Sequence, residues 1–221
     1  MGQLTNLTAS DGHKLAAYVA GDPNSKRGLV VIQEIFGVNH HIRAVCDRYA
    51  DQGFLTIAPA LFDRAEANIE LNYDETGMTK GIGLVGQIAV NDTLKDIDAA
   101  FRFLGDRKKG IIGFCWGGTL AWLAAAQIDQ CDAAVGFYGG GIAANKDLKL
   151  KRPIQLHFGA DDPYIPLTDI TAIREAHPNL DVFSYEGAGH GFCCDERGSF
   201  NAPSCALATD RTLGFLRSHL G

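Results

Sequence analysis

Gly113-Phe114-Cys115-Trp116-Gly117-Gly118 constrains this chain more than any other stretch. An apolar run, Gly110-Ile111-Ile112, leads into it, and the small-residue helix pattern Thr119-Leu120-Ala121-Trp122-Leu123-Ala124-Ala125-Ala126 follows at once. Strand, glycine-flanked nucleophile and helix in that order form a nucleophile elbow, with Cys115 where serine usually stands. So sharp a turn strains the backbone at the nucleophile, and its neighbours must lack bulk for strand and helix to approach. The sulfur then sits at a helix N-terminus, where backbone N–H groups and the helix dipole favour a thiolate and a developing oxyanion.

Around this element, strand and helix signals alternate, the pattern of an α/β fold with a mostly parallel sheet and helices on both faces. Strands are expected over 14–20, 28–33, 54–58, 133–138, 154–158 and 181–185. Gly28-Leu29-Val30-Val31-Ile32-Gln33 is a continuous apolar run, as in a strand covered on both faces. Helical spacing links Ile42, Val45 and Tyr49 up to the stop at Gly53, and links Val90, Leu94, Ile97, Phe101 and Leu104. A last helix is expected from about Pro203 to Leu220. The stretch 63–86, rich in glycine and charge, reads as an irregular surface excursion near the site. With no repeat or linker, residues 1–221 are expected to form a single domain.

Composition narrows the function. A formal charge of −6 and the absence of a basic run argue against nucleic acid or an anionic membrane as partner. No run reaches the ~18 apolar residues of a membrane span, and the first residues have no leader pattern, so a cytoplasmic protein is expected. The six cysteines are then expected as reduced thiols. Cys193-Cys194 lacks zinc-ligand spacing, so neither a metal nor a cofactor is expected.

A thiol nucleophile needs a base within hydrogen-bond reach, oriented in turn by a third group. The strand 154–158 ends in Gly159-Ala160-Asp161-Asp162-Pro163-Tyr164-Ile165-Pro166, and the strand 181–185 in Glu186-Gly187-Ala188-Gly189-His190-Gly191-Phe192. Both loops leave the carboxyl edge of the sheet, where open α/β sheets build sites, and they supply nucleophile, acid and histidine in α/β-hydrolase order. His190, between glycines, is the candidate base, while Asp161 and Asp162 compete as the acid. His157 lies within a strand and is expected to be packed. Glu34 follows the strand 29–32 directly, and a carboxylate there needs a partner. Two backbone N–H groups, of Trp116 and Ile35, are the expected oxyanion donors.

Four motifs in order carry a resemblance over nearly the whole chain: Gln33-Glu34-Ile35-Phe36-Gly37-Val38-Asn39, the elbow, Asp162-Pro163-Tyr164-Ile165-Pro166 and Gly189-His190-Gly191-Phe192. On these the chain resembles the dienelactone hydrolase (carboxymethylenebutenolidase) family of α/β-hydrolases. The resemblance implies an α/β-hydrolase fold without a large lid domain and a Cys115–His190–Asp162 triad. It also implies that Glu34 contacts and helps to activate the thiol. Small lactones or activated esters are the implied substrates, cleaved through a thioester, and a monomer or weak homo-oligomer is expected. Phe36, Arg64, Tyr138 and Tyr164 are candidate substrate contacts.

One departure concerns the substrate. Enzymes of dienelactone hold its carboxylate with arginines, one shortly after the catalytic histidine, whereas here Cys193 and Cys194 follow Phe192 and the next arginine is Arg197. The matching part of 74–86 offers only Lys80, so Arg64 is the substitute clamp. A broad carboxylesterase is the second enzyme reading. A thiol redox sensor, with Cys193 or Cys194 resolving an oxidised Cys115, is the reading from another class.

Overall fold

The computed structural model describes residues 2–221. The chain gathers into two compact units, Met1–Ile111 and Ile112–Gly221.

In the first unit the strands β1 (Gln3–Thr8), β2 (Lys14–Ala20) and β3 (Arg27–Ile32) precede helix α1 (His40–Asp51) and strand β4 (Leu55–Pro59). Their order is β1-β2-β4-β3, with β1–β2 and β2–β4 antiparallel and β3–β4 parallel. Leu29, Val30, Val31 and Ile32 are all fully buried, as the unbroken apolar run requires. Asn39 caps α1, its side chain accepting the Ile42 N–H at 3.2 Å. Two features escape the sequence pattern. The strand β1 is an exposed antiparallel edge, with Leu4 open to solvent. The excursion over 63–86 is not irregular, because it contains α2 (Glu75–Val85), capped by Asp74, whose Oδ1 accepts the Gly77 N–H at 2.7 Å. Its glycines allow close approach: a Cβ on Gly81 would lie 1.9 Å from the Ile35 carbonyl oxygen, and one on Gly77 2.1 Å from that of Asn72. Helix α3 (Val90–Phe103) closes the unit, burying Leu94, Ile97, Ala100 and Phe101.

Strand β5 (Lys108–Phe114) runs across the division between the units. The second unit continues with α4 (Trp116–Gln127), β6 (Ala133–Phe137), β7 (Ile154–Gly159), α5 (Leu167–Ala176), β8 (Asp181–Tyr185) and α6 (Ala202–Leu220). Strands β6, β7 and β8 are parallel neighbours in that order. Helix α4 is apolar all round and correspondingly buried, with the Trp122 indole N–H donating to the Asn145 carbonyl at 3.0 Å.

The expectation of six reduced thiols is corrected at two positions. Cys193 and Cys205 form a disulfide that ties the loop after β8 to the first turn of α6, with Cα atoms 4.8 Å apart. Cys46, Cys131 and Cys194 are buried thiols, and Cys115 is the partly exposed one. Burial pushes Cys131 up to about 12 and Cys46 higher still, so both are inert.

Candidate active site

The elbow follows from steric demands that only glycine meets. A Cβ on Gly113 would fall 1.9 Å from the Gly117 carbonyl oxygen, and one on Gly118 2.4 Å from that of Phe137. Between them Cys115 takes φ 56° and ψ −116°, a conformation that L-residues rarely adopt. The turn is held from both sides: the Cys115 N–H donates to the Phe137 carbonyl at 3.0 Å, and the Cys115 carbonyl accepts the Gly118 N–H at 2.9 Å. Trp116 opens α4, so its amide belongs to the first-turn N–H groups that a helix leaves without intrahelical acceptors.

The loops after β7 and β8 bring the acid and the histidine together. His190 Nδ1 bonds Asp162 Oδ2 at 2.8 Å, with the Asp162 side chain fully enclosed and that of His190 only 11% exposed. The other Asp162 oxygen accepts the Tyr164 N–H at 2.8 Å, so each carboxylate oxygen has one fixed donor. Asp161 is exposed, and its backbone N–H goes to the Ala188 carbonyl at 3.0 Å. His190 also hydrogen-bonds Cys115. Burial disfavours its imidazolium, yet the bonds to Asp162 and Cys115 prevail and raise its pKa from 6.5 to about 9. Cys115, His190 and Asp162 thus form one hydrogen-bonded chain within the second unit, each just beyond the carboxyl end of its strand.

Two aromatic rings flank the imidazole. Tyr138, buried and itself at φ 38°, lies 5.1 Å from it, and Tyr164 meets it edge-on at 5.4 Å. Beneath the site, His157 is packed as expected. Its Nδ1 accepts from the Tyr185 hydroxyl at 2.8 Å, Nε2 faces Gln155 Oε1 at 3.0 Å, and burial lowers its pKa to about 3. The His157 carbonyl accepts the Tyr138 N–H at 2.7 Å, which fixes the strained residue.

The first-unit candidates are placed as follows. Glu34 is fully buried after β3, Ile35 is half-buried, and Phe36 packs on Tyr73 with ring centroids 4.5 Å apart. Arg64 is occupied elsewhere: it grips Asp96 at 2.7 and 2.8 Å and Asp11 at 2.9 and 3.2 Å. A substrate carboxylate there would meet two carboxylates already bound, so the suggested clamp is structural. Lys80 pairs with Glu66 at 2.9 Å. Arg197 lies against the histidine loop, where a Cβ on Gly191 would come within 2.5 Å of its guanidinium. Sequence reasoning missed the disulfide that closes this loop.

A model of the dienelactone hydrolase family matches residues 15–220. The chain belongs to that family. A carboxymethylenebutenolidase from Pseudomonas putida is 34% identical over 225 residues, covering 96% of this chain and 94% of the relative. A putative carboxymethylenebutenolidase from Yersinia pestis is 36% identical over 234 residues, covering 95% and 86%. The crystal structure of a putative dienelactone hydrolase from Klebsiella pneumoniae superposes with a TM-score of 0.84 at 30% identity, over 98% of this chain and 99% of that one. The fold is therefore that of the α/β-hydrolases, with mostly parallel strands, and this dienelactone hydrolase family member is a hydrolase by class. Among the described residues, no helix is long and apolar enough to cross a membrane.

Proposed function

We propose that this protein hydrolyses small lactones or activated esters with Cys115 as nucleophile. The observation that carries the reading is the position of His190, bonded on one side to the enclosed Asp162 and on the other to the thiol at the elbow. His190 holds the proton of the Cys115 thiol as the sulfur attacks the carbonyl carbon, and when the C–O bond to the leaving oxygen breaks it gives that oxygen the proton. In a lactone the freed hydroxyl stays tethered to the acyl group. Water then loses a proton to His190 as it attacks the thioester, and as the C–S bond breaks His190 returns that proton to the sulfur, restoring the thiol. Asp162 keeps the imidazole in the productive tautomer throughout.

On the sequence resemblance, Glu34 takes part in activating the thiol, and the N–H groups of Ile35 and Trp116 hold the oxyanion. Losing one such donor typically costs ~2.7–4 kcal/mol of transition-state stabilisation. The same resemblance favours a single α/β-hydrolase domain. With Arg64 held by Asp11 and Asp96, a carboxylate clamp at that residue is disfavoured, and the reading extends to small neutral carboxylic esters.

Intact-mass spectrometry after mixing with excess p-nitrophenyl acetate tests the mechanism. Wild type should gain one acetyl group, Cys115→Ala none, and His190→Ala an adduct that persists. Equal acetylation of wild type and Cys115→Ala would remove Cys115 from the mechanism.

A further inference from the structure

We propose that Tyr164 is a specificity-determining residue that selects the alcohol half of the substrate in favour of ring-bearing alcohols, so that phenolic esters are a preferred class. The inference rests on thiol hydrolysis at Cys115 and adds which half of the substrate is read, and by what.

The leaving oxygen takes its proton from His190 and so must come within hydrogen-bond reach of that imidazole. Whatever the oxygen carries then stands beside the groups that surround His190. Tyr138 is one of them, but it is fully buried and packs on Phe114, Phe137 and Phe192. Tyr164 is the other, and it is 64% exposed with its ring at 89° to the imidazole. Of the two rings beside His190, Tyr164 is therefore the one exposed to meet what that oxygen carries.

That exposure is not slack in the loop. The Tyr164 N–H is fixed on Asp162, and Asp162 and Ile165 on either side of it are both buried. Pro163 and Pro166 restrict the backbone further. A large aromatic side chain is thus held in water by a pinned backbone, where burial would otherwise stabilise it. A second ring stacked or set edge-on against it would recover the contact, and such aromatic pairs are worth enough to change rates by roughly three- to tenfold.

The test compares phenyl acetate with hexafluoroisopropyl acetate, whose alcohol is comparably acidic but carries no ring. Both deliver the same acetyl group, so their thioesters, and the deacylation step, are identical. Wild type, Tyr164→Ala and Tyr164→Phe keep the backbone N–H on Asp162. In Tyr164→Ala, kcat/KM for phenyl acetate should fall roughly three- to tenfold relative to hexafluoroisopropyl acetate. Tyr164→Phe should retain the preference. An equal fall for the two esters would reduce Tyr164 to a positioning residue for Asp162 and His190 and overturn the inference. An unchanged ratio would overturn it as well, while acetylation of Cys115 in the same samples would leave the mechanism standing. Absence of acetylation by either ester would remove both readings together.

Discussion

His190 links the geometry of the site to the stability of the fold, and the link has a pH signature. Burial opposes its charge, but the bonds to Asp162 and Cys115 hold its pKa at about 9, against 6.5 for an ordinary histidine. The native state therefore keeps this proton over a range in which the unfolded chain has released it. The stabilisation is complete below pH 6.5, fades as the pH rises, and is gone above about 9. Its full size is on the order of 3 kcal/mol, at ~1.4 kcal/mol for each tenfold in proton affinity. The 11% exposure of the His190 side chain leaves little solvent screening to reduce it. Asp162→Asn retains an oxygen for the Tyr164 N–H but removes the anion that favours the imidazolium. Urea unfolding of wild type and Asp162→Asn, compared at about pH 6 and about pH 9.5, isolates the effect because other titrations cancel in the difference. The wild-type advantage should shrink by about 2–3 kcal/mol on raising the pH. Parallel stability curves, or an advantage that grows with pH, would refute the reasoning.

Three further outcomes are expected. Cys205→Ser, or reduction of the native protein, should lower unfolding stability by about 3 kcal/mol, the loop-closure value for a cross-link of this span, and urea midpoints measured with and without a reductant will show it. Arg64→Ala leaves the enclosed Asp96 carboxylate without its cation and should cost about 3–5 kcal/mol of stability, while kcat/KM per folded molecule on a neutral ester stays within twofold or so. Gly113→Ala should abolish acetylation of Cys115 and destabilise by at least ~3 kcal/mol, because the nearest obstacle is the Gly117 backbone; Gly198→Ala, with nothing within 4 Å, should be neutral in the same assays.

The elbow was legible because its steric demands fall on consecutive residues, and only glycine satisfies them at 113 and 118. The strands of the core were legible for a related reason: burial on both faces writes an unbroken apolar run such as Leu29 to Ile32. Helix α2 was not. Gly77, Gly81 and Gly83 lower its intrinsic propensity, and the reason for two of them, close approach to the backbone at Asn72 and Ile35, is tertiary. Strand β1 stayed hidden because only Leu7 is buried along it, and α5 because it buries only Ile170 and Ile173. The partners of Arg64 lie 53 and 32 residues away, beyond any local pattern. Six thiols leave many possible pairings, and spacing did not single out Cys193 with Cys205. At the site, the candidate acid resolves into geometry the same way: two adjacent aspartates look alike in sequence, but only Asp162 is turned inward to His190.

The backbone angles at Cys115 bear on how this position evolves. A side chain at φ 56° and ψ −116° carries strain of roughly 1–3 kcal/mol that glycine would not feel. Mutational drift under selection for folding alone would therefore replace Cys115 with glycine, at a gain in stability. A lineage that keeps a thiol in that conformation is under continuing selection for what the sulfur does. On the proposed mechanism, relatives in which position 115 has relaxed to glycine should be sought among those that have ceased to be enzymes.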